Sequence, residues 1–453
     1  MAAPAGLITS LNRIRELSSD IYHQYIPELT EDSDISAFGK PVLQYQVVQN
    51  EFMSSLINRI AYTSFEIKYF NSPLKVLEGD KIPLGHAGQD LYVNPAKGRK
   101  FNVDDFAGLL VKYEADVKAQ YFEVNSDLQY PVTVSKAKLQ KAFTSWENLG
   151  TFVDEITNSL YQAAYIDEFN QSRALVTNAF KSNRVNYETI SAVSTADTAK
   201  AFIEKARELF LNYQSPSTQY NAWHKIGGEG RPVVTWTAPE DIVFIIRNDV
   251  RAKIDVEVLA SAFNIDKTTL LGNIISVPDF NILNDDGTTH TSATEIVGIM
   301  CDKAWFKIKE QDRDMSEFYN ANNRSWTFYL NLVKMYNYSL FANATVFCTS
   351  APTVKATKIE FGTDTVEIDQ GDHEGLDVTI TPAEATSEIT YSVTAYPEGG
   401  AATDLVLTAS DNGRHLDIKA KSDADAGNYT VTASAESGSV TDTVTVTVAE
   451  VSA

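Results

Sequence analysis

From Val354 to Glu450 the chain follows one pattern: short stretches in which apolar and polar residues alternate, separated by turn-forming residues. "LDVTITP", "ITYSVTA", "HLDIKA", "NYTVTASA" and "TDTVTVTV" all show it. A period of two puts successive side chains on opposite faces of a strand, so each stretch can bury one face only. Several such strands at regular spacing, with turns between them, imply two sheets packed face to face. The same region has no Trp, no Cys and no helical period. It holds 5 basic and 18 acidic residues, a net of -13, which is more than half of the chain's -22. The expected fold here is a separate, acidic all-β sandwich over residues 354–450.

The first 350 residues read differently. A 453-residue chain with 43% hydrophobic content can support about two to four domains with sizeable cores. Leu7, Leu11, Ile14, Leu17 and Ile21 recur at helical spacing, and the polar stretch "ELTEDSDISAFGKP" after them favours a partner-binding arm over residues 1–45. "VVQNEFMSSLINRIA" predicts a second helix, with Val48, Phe52, Leu56 and Ile60 on one face. Residues 63–134 break into short β-prone pieces interrupted by Gly and Pro, which reads as an extended, strand-rich excursion. The longest helical signal comes next. Leu139, Phe143, Trp146, Phe152, Ile156, Leu160, Ala163 and Ala164 keep the period, Ser135 is the expected N-cap, Gly150 marks a bend, and the helix should reach Phe169 or further. "TADTAKAFIEKARELFLNY" predicts a third helix, and "IDVEVLASAFN" is helix-like. Strands are expected at "PVVTW", "DIVFIIRN", "NIISVPDF", "ATEIVGIMC" and "AWFKIKEQ". The sum is an α+β fold.

The usual signatures of catalysis are missing. The six histidines are scattered, with no H-E-x-x-H pattern, and there is no G-x-S-x-G elbow. "KIGGEGRP" lacks the ending of a phosphate-binding loop and reads as a surface loop. "NDDGTTH" lacks the ligand spacing of a calcium loop and reads as an Asp-Gly turn. Two cysteines, Cys301 and Cys348, cannot make a zinc cluster and are expected to be buried thiols. No catalytic, metal or cofactor site is expected, and the chain is not expected to be an enzyme. An acidic surface repels nucleic acid and favours solubility. The N-terminus has no basic region followed by an apolar block, so no secretory signal is expected, and no run approaches the ~18 apolar residues of a membrane span.

Taken together and in order, "VVQNEFMSSLINRI", "NSPLKVLEGDKIPLG", "LQKAFTSWENLGTFVDEITNSLY", "IDVEVLASAFNIDKTTLLGNI", "DKAWFKIKE" and "SLFANATVF" resemble the major head protein family of phi29-like short-tailed bacteriophages, from about Leu43 to Phe347. The C-terminal region resembles the immunoglobulin-like, BIG2-type domain found in that family. The resemblance implies a Hong Kong 97-like phage capsid fold. On that reading residues 1–45 are the N-terminal arm and residues 46–350 the capsid core. Within the core, 63–134 would be the extended loop, 135–184 the spine-helix region, 185–300 the axial domain and 301–350 the return of the peripheral domain. Residues 354–450 would be the immunoglobulin-like sandwich. The segment "DAGNYTV" matches a tyrosine corner at Asp425, Gly427 and Tyr429, with Val431 where a cysteine is usual. The Tyr429 hydroxyl should bond to backbone a few residues upstream. Departures fall in the first 40 residues and around "NPAKGRKFNVDDF", where Lys97, Arg99 and Lys100 form a small basic cluster that could meet an acidic face of a neighbouring subunit or simply be a solvated loop tip.

The resemblance implies a major capsid protein that self-assembles, as hexamers and pentamers, into an icosahedral or prolate head shell enclosing the double-stranded DNA genome without sequence-specific binding. It further implies a scaffolding protein during assembly, a portal or connector, a head fibre as a further partner, no membrane, assembly in the host bacterial cytoplasm, and residence in the virion. The rival is a secreted or surface glycan-binding protein with an immunoglobulin-like accessory domain. The stretch "NYSLFANATVF", residues 337–347, bears on the choice, because it contains two N-x-S/T sequons at Asn337 and Asn343. Its dense apolar content reads instead as one packed strand closing the core. Asn337 and Asn343 are then structural or interface groups, and the acidic sandwich is a detachable unit beyond them.

Overall fold

The computed structural model describes residues 5–60, 70–83, 85, 88–99, 112–226, 231–257, 273–284 and 287–450. The chain divides into two compact units. One comprises Met1–Asp90, Ala119–Leu175 and Phe306–Tyr338; the other comprises Leu91–Lys118, Val176–Trp305 and Ser339–Ala453. In chain order the elements begin with helices α1 (Ala5–Glu16), α2 (Asp20–Tyr25), α3 (Ile35–Gln44) and α4 (Gln46–Ile60). Strands β1 (Gly88–Val93), β2 (Val117–Phe122) and β3 (Ser126–Ser135) follow, then α5 (Lys136–Ala142) and α6 (Trp146–Lys181). Next come β4 (Asn186–Thr189), α7 (Ala196–Asn212), β5 (Ile242–Arg247), α8 (Asn248–Glu257), β6 (Asn273–Val277), β7 (Ile282–Leu283), β8 (Thr289–Thr291) and β9 (Ile296–Asp302). Then β10 (Phe306–Asn320), β11 (Ser325–Tyr338) and β12 (Ala344–Cys348) complete this part. The C-terminal strands are β13 (Lys358–Phe361), β14 (Thr365–Asp369), β15 (His373–Thr381), β16 (Thr390–Ala395), β17 (Leu405–Ser410), β18 (His415–Ala420), β19 (Gly427–Ala435) and β20 (Val440–Ala449).

The first unit is built on the antiparallel sheet β10-β11-β3. Trp326, Phe328, Leu330 and Leu332 of β11 share one core with Leu139, Leu149, Phe152, Ile156 and Leu160 of the helices, and with Phe38 and Phe52 of α3 and α4. The N-terminal helices dock on this core rather than forming a free arm: Leu7, Leu11 and Ile14 belong to the same cluster. The single helix expected over Leu7–Ile21 is two. Ser19 accepts from the Tyr22 amide and starts α2 afresh, so Leu17 and Ile21 leave the apolar stripe and are 70% and 50% exposed. The long helix expected from Ser135 onward is also divided, and not where glycine suggested. Gly150 lies inside α6, while residues 143–145 form the break. Thr144 Oγ1 donates to the Lys141 carbonyl at 2.7 Å and Ser145 Oγ accepts from the Asn148 amide at 3.1 Å, so hydroxyls end one helix and start the next. Ser135 caps α5 as expected, and α6 runs on to Lys181.

The second unit contains the mixed five-stranded sheet β4-β12-β9-β5-β6. Phe202, Phe210 and Tyr213 of α7 and its C-terminal end pack with Phe244, Met300 and Phe347 of the sheet. The Thr195–Thr198 capping box fixes the start of α7. Gly298 in the central strand is required by close approach: a Cβ there would lie 2.7 Å from the Ile245 carbonyl oxygen. Cys301 and Cys348 are free and buried in β9 and β12. "PVVTW" forms no strand; Thr235 makes only an isolated bridge with Ser217. The helix expected over "IDVEVLASAFN" is described as far as Glu257, and its remainder lies outside the described residues.

"NYSLFANATVF" is not one strand. Asn337 and Tyr338 end β11 in the first unit's sheet, residues 339–343 cross over, and β12 joins the other sheet between β4 and β9. Asn343 is fully buried and donates to Thr237 Oγ1 at 3.1 Å, while Asn337 Nδ2 donates to the Glu123 carbonyl at 3.1 Å. Both side chains are therefore engaged in the fold.

Residues 358–449 form two four-stranded sheets, β13-β15-β18-β17 and β14-β20-β19-β16, around one core. Leu416, Ile418 and Ala420 meet Tyr429, Val431, Val444 and Val446 there, so the alternation in sequence becomes inside against outside. This sandwich is not loosely attached to what precedes it. Arg184 Nε lies 2.6 Å from Glu384 Oε1, and Asn183 Nδ2 donates to the Glu384 carbonyl at 3.0 Å. Glu384 is 6% exposed.

Candidate assembly surfaces

Strands β1 and β2 pair as a two-stranded ribbon. Its inner side is anchored. Asn94 donates through Nδ2 to Asp116 at 2.7 Å and accepts from the Val234 amide at 3.1 Å, and Tyr92 stacks on Phe341 with centroids 5.8 Å apart. The Asn94 hydrogen bond, then Lys118, holds the Asp116 carboxyl below the usual range. Its other side is apolar and open: Leu91, Val93, Val117 and Tyr121 are each more than half exposed. Exposed apolar side chains on a two-stranded ribbon are candidates for an interaction surface, because a ribbon has no core of its own to cover them. Of the basic cluster, Lys97 and Arg99 are exposed, Arg99 donates to the Tyr113 hydroxyl at 2.7 Å, and Lys100 lies outside the described residues. Arg99 thus ties the segment after β1 to the segment before β2.

In the sandwich, the Tyr429 hydroxyl lies 2.8 Å from the Asp425 carbonyl oxygen and 3.0 Å from Asp404 Oδ2, with the ring fully buried. Gly427 has φ +140, and a Cβ there would meet Pro397 Cβ at 2.8 Å, so glycine is required between Asp425 and Tyr429. A cleft of about 720 Å³ beside the Glu384 contact is lined by Tyr187, Lys225, Thr379 and Arg414, among others. Lys225 Nζ sits 4.4 Å from the Tyr187 ring centroid, and burial pulls its pKa down to about 8.

Sequence reasoning missed a buried ionic group. Lys334, 1% exposed, lies within 2.8 Å of both Glu78 and Glu168, and Arg313 joins Glu168 to Glu310. The one available signal is a lone lysine in the apolar strand "YLNLVKMYNY". Among the described residues there is no group of three or more His, Cys, Asp or Glu able to hold a metal ion, and no helix long and apolar enough to cross a membrane.

The model of the phi29-like phage major capsid protein family matches residues 11–348. The chain belongs to that family. It is thus a structural component of a phage capsid, not an enzyme, and its place is the virion. The major capsid protein of Bacillus phage B103 is 26% identical over 423 residues, covering 91% of this chain and 89% of that protein. That of Bacillus phage PZA is 27% identical over 422 residues, with the same coverage. That of Streptococcus phage Cp-1 is 26% identical over 348 residues, covering 74% of this chain and 92% of that protein. Among solved structures, the capsid of Staphylococcus phage Andhra aligns with a TM-score of 0.48 at 14% identity, covering 64% of this chain and 87% of that chain. The family match does not favour the secreted glycan-binding alternative.

Proposed function

We propose that this capsid chain builds the head shell in the Hong Kong 97-like manner, with the β1–β2 ribbon as the extended loop that reaches a neighbouring subunit. The observation carrying this reading is the open apolar side of the ribbon, Leu91, Val93, Val117 and Tyr121, on a segment that has no core of its own. Repeated copies of one patch are the economical way to close a symmetric shell. Lys97 and Arg99 would then meet an acidic face of the next subunit, with Lys100 following them in sequence. Residues 354–450 would be an immunoglobulin-like, BIG2-type domain, supported by two antiparallel-rich sheets, the Tyr429–Asp425 bond of a tyrosine corner, and a family match that stops at Cys348. Hexamers and pentamers would form with a scaffolding protein in the host cytoplasm, leave one vertex to a portal, take a head fibre as a further partner, and enclose double-stranded DNA without reading its sequence.

Electron microscopy of the protein expressed with and without its scaffolding partner tests the reading. Closed shells in which Lys97 crosslinks to a neighbouring copy are expected. A dispersed monomer under every condition, scaffold included, would refute it.

A further inference from the structure

We propose that Glu78, Lys334, Glu168, Arg313, Glu310 and Lys81 form an ionic latch that sets the direction in which the outgoing limb of the loop leaves the sheet. This rests on the reading of the ribbon as an inter-subunit loop. Along the latch, carboxylates and cations alternate. Lys334 Nζ is 2.7 Å from Glu78 Oε1 and 2.8 Å from Glu168 Oε1. Arg313 Nη2 is 3.2 Å from Glu168 Oε1 and 2.8 Å from Glu310 Oε2. Lys81 Nζ is 2.5 Å from Glu310 Oε1 and closes the row at its solvent end. Three negative and three positive groups cancel, so the row can be buried without leaving a charge unpaired. Burial opposes the charge on Glu310, but Arg313 and Lys81 outweigh it and hold the carboxyl below the usual glutamate range.

Each link joins a different part of the first unit. Glu168 is on α6, Glu310 and Arg313 are on β10, Lys334 is on β11, and Glu78 and Lys81 are on the strand-like segment that leads to the ribbon. That segment lies along the free edge of β10. The Gly79 amide donates to the Ile308 carbonyl at 2.9 Å and the Ile82 amide to the Glu310 carbonyl at 3.0 Å. Gln311 Nε2 donates to the Pro83 carbonyl at 3.1 Å. Leu74 and Leu77 are buried just before it, but from Glu78 to Pro83 only Glu78 and Ile82 are even half-buried. Apolar burial therefore does little for residues 78–83, and polar contacts decide whether they stay on the edge. The returning limb is held differently. It is β3, hydrogen-bonded along ten register positions to β11 on the far side of the sheet. One limb is a strand paired along its whole length and the other is a latched edge segment, so a change of loop angle would begin at Glu78–Pro83.

Hydrogen exchange of the full-length, unassembled chain, followed by mass spectrometry of the peptide spanning residues 77–83, tests the latch. Glu78→Gln keeps the shape and removes one of the two carboxylate charges facing Lys334, the one on the outgoing segment. Exchange at Gly79 and Ile82 is expected to quicken about tenfold while β10 and β11 keep their protection; Lys81→Met, at the exposed end, should change it less than threefold. A change below twofold in Glu78→Gln, or an equal loss of protection across β10 and β11, would overturn the latch. A normal yield of closed shells from a Glu78→Gln chain that exchanges tenfold faster would overturn its positioning role. Absence of Lys97 crosslinks in wild-type shells would count against the loop reading instead, and the two failures are thereby separable.

Discussion

Replacing Tyr429 by Phe isolates one hydroxyl. The ring is fully buried and would stay, so no cavity opens and the change falls on the two oxygens facing the hydroxyl, Asp425 O at 2.8 Å and Asp404 Oδ2 at 3.0 Å. A phenol has one proton for these two acceptors, so one good hydrogen bond is lost. Losing a part-buried hydrogen bond to a carboxylate or a peptide carbonyl costs about 1–3 kcal/mol. At about 1.4 kcal/mol per factor of ten, local opening of β19 should become roughly 5- to 150-fold more frequent. The readout is amide exchange across Gly427–Ala435 in the full chain, since a molecule with two units does not give a single melting transition. Tyr429→Ala, which also removes the ring, should cost about 3–5 kcal/mol by the precedent of large aromatic truncations. Burial, then Asp404, pushes the Tyr429 pKa up to about 12. Because the folded value lies above the unfolded one, this contribution is complete below about pH 10 and is lost as pH rises through about 12. Tyr429→Phe should abolish that alkaline loss. Wild-type exchange in β19 of the Phe variant, or a loss as large as that of the Ala variant, would refute the reasoning.

Gly298→Ala would press a methyl group against the Ile245 carbonyl, and a cost of about 1–3 kcal/mol is expected as faster exchange in β5 and β9; unchanged exchange would show that the sheet can yield there. Glu384→Gln weakens a contact whose Arg184 side is 48% exposed, so about 1 kcal/mol is expected, seen as quicker proteolysis between Cys348 and Val354; an unchanged rate would mean the ion pair does not hold the sandwich. Lys225, at a pKa of about 8, should be about half neutral at pH 8 against roughly 0.3% for an ordinary lysine. It should therefore be acylated ahead of the other lysines, and peptide mapping that shows no preference would contradict this.

Much of the fold was legible because it rests on local rules. The alternation in "NYTVTASA" places Tyr429, Val431, Ala433 and Ala435 inside, and Ser135 and Thr195 start helices as hydroxyl caps do. The two helix misreadings share one cause. At Leu17–Ser19 and at residues 143–145 the apolar period continues while serine and threonine hydroxyls take over backbone partners, so the pattern hides the break. Residues 337–347 are dense in apolar side chains, yet Ser339 turns the chain: its amide donates to the Trp305 carbonyl at 2.8 Å and its hydroxyl accepts from the Phe341 amide at 3.2 Å. Composition cannot show a change of sheet between two equally apolar strands. The latch was still less legible, since Lys334 and Glu78 are 256 residues apart and only the fold pairs them.

Cys301 stands opposite Ala344 at one end of the β9–β12 ladder, and Cys348 opposite Ile296 at the other, about 14 Å along the strand. Such a separation rules out a disulfide between them. Burial, then Asp302, pushes the Cys301 thiol well up, and burial raises that of Cys348, so neither supplies thiolate to a reagent while the sheet is closed. The two sulfurs are thereby native reporters of fraying. Alkylation at Cys348 alone would time an opening from the end where the sandwich follows, and alkylation at Cys301 an opening from the crossover side, without any label being introduced.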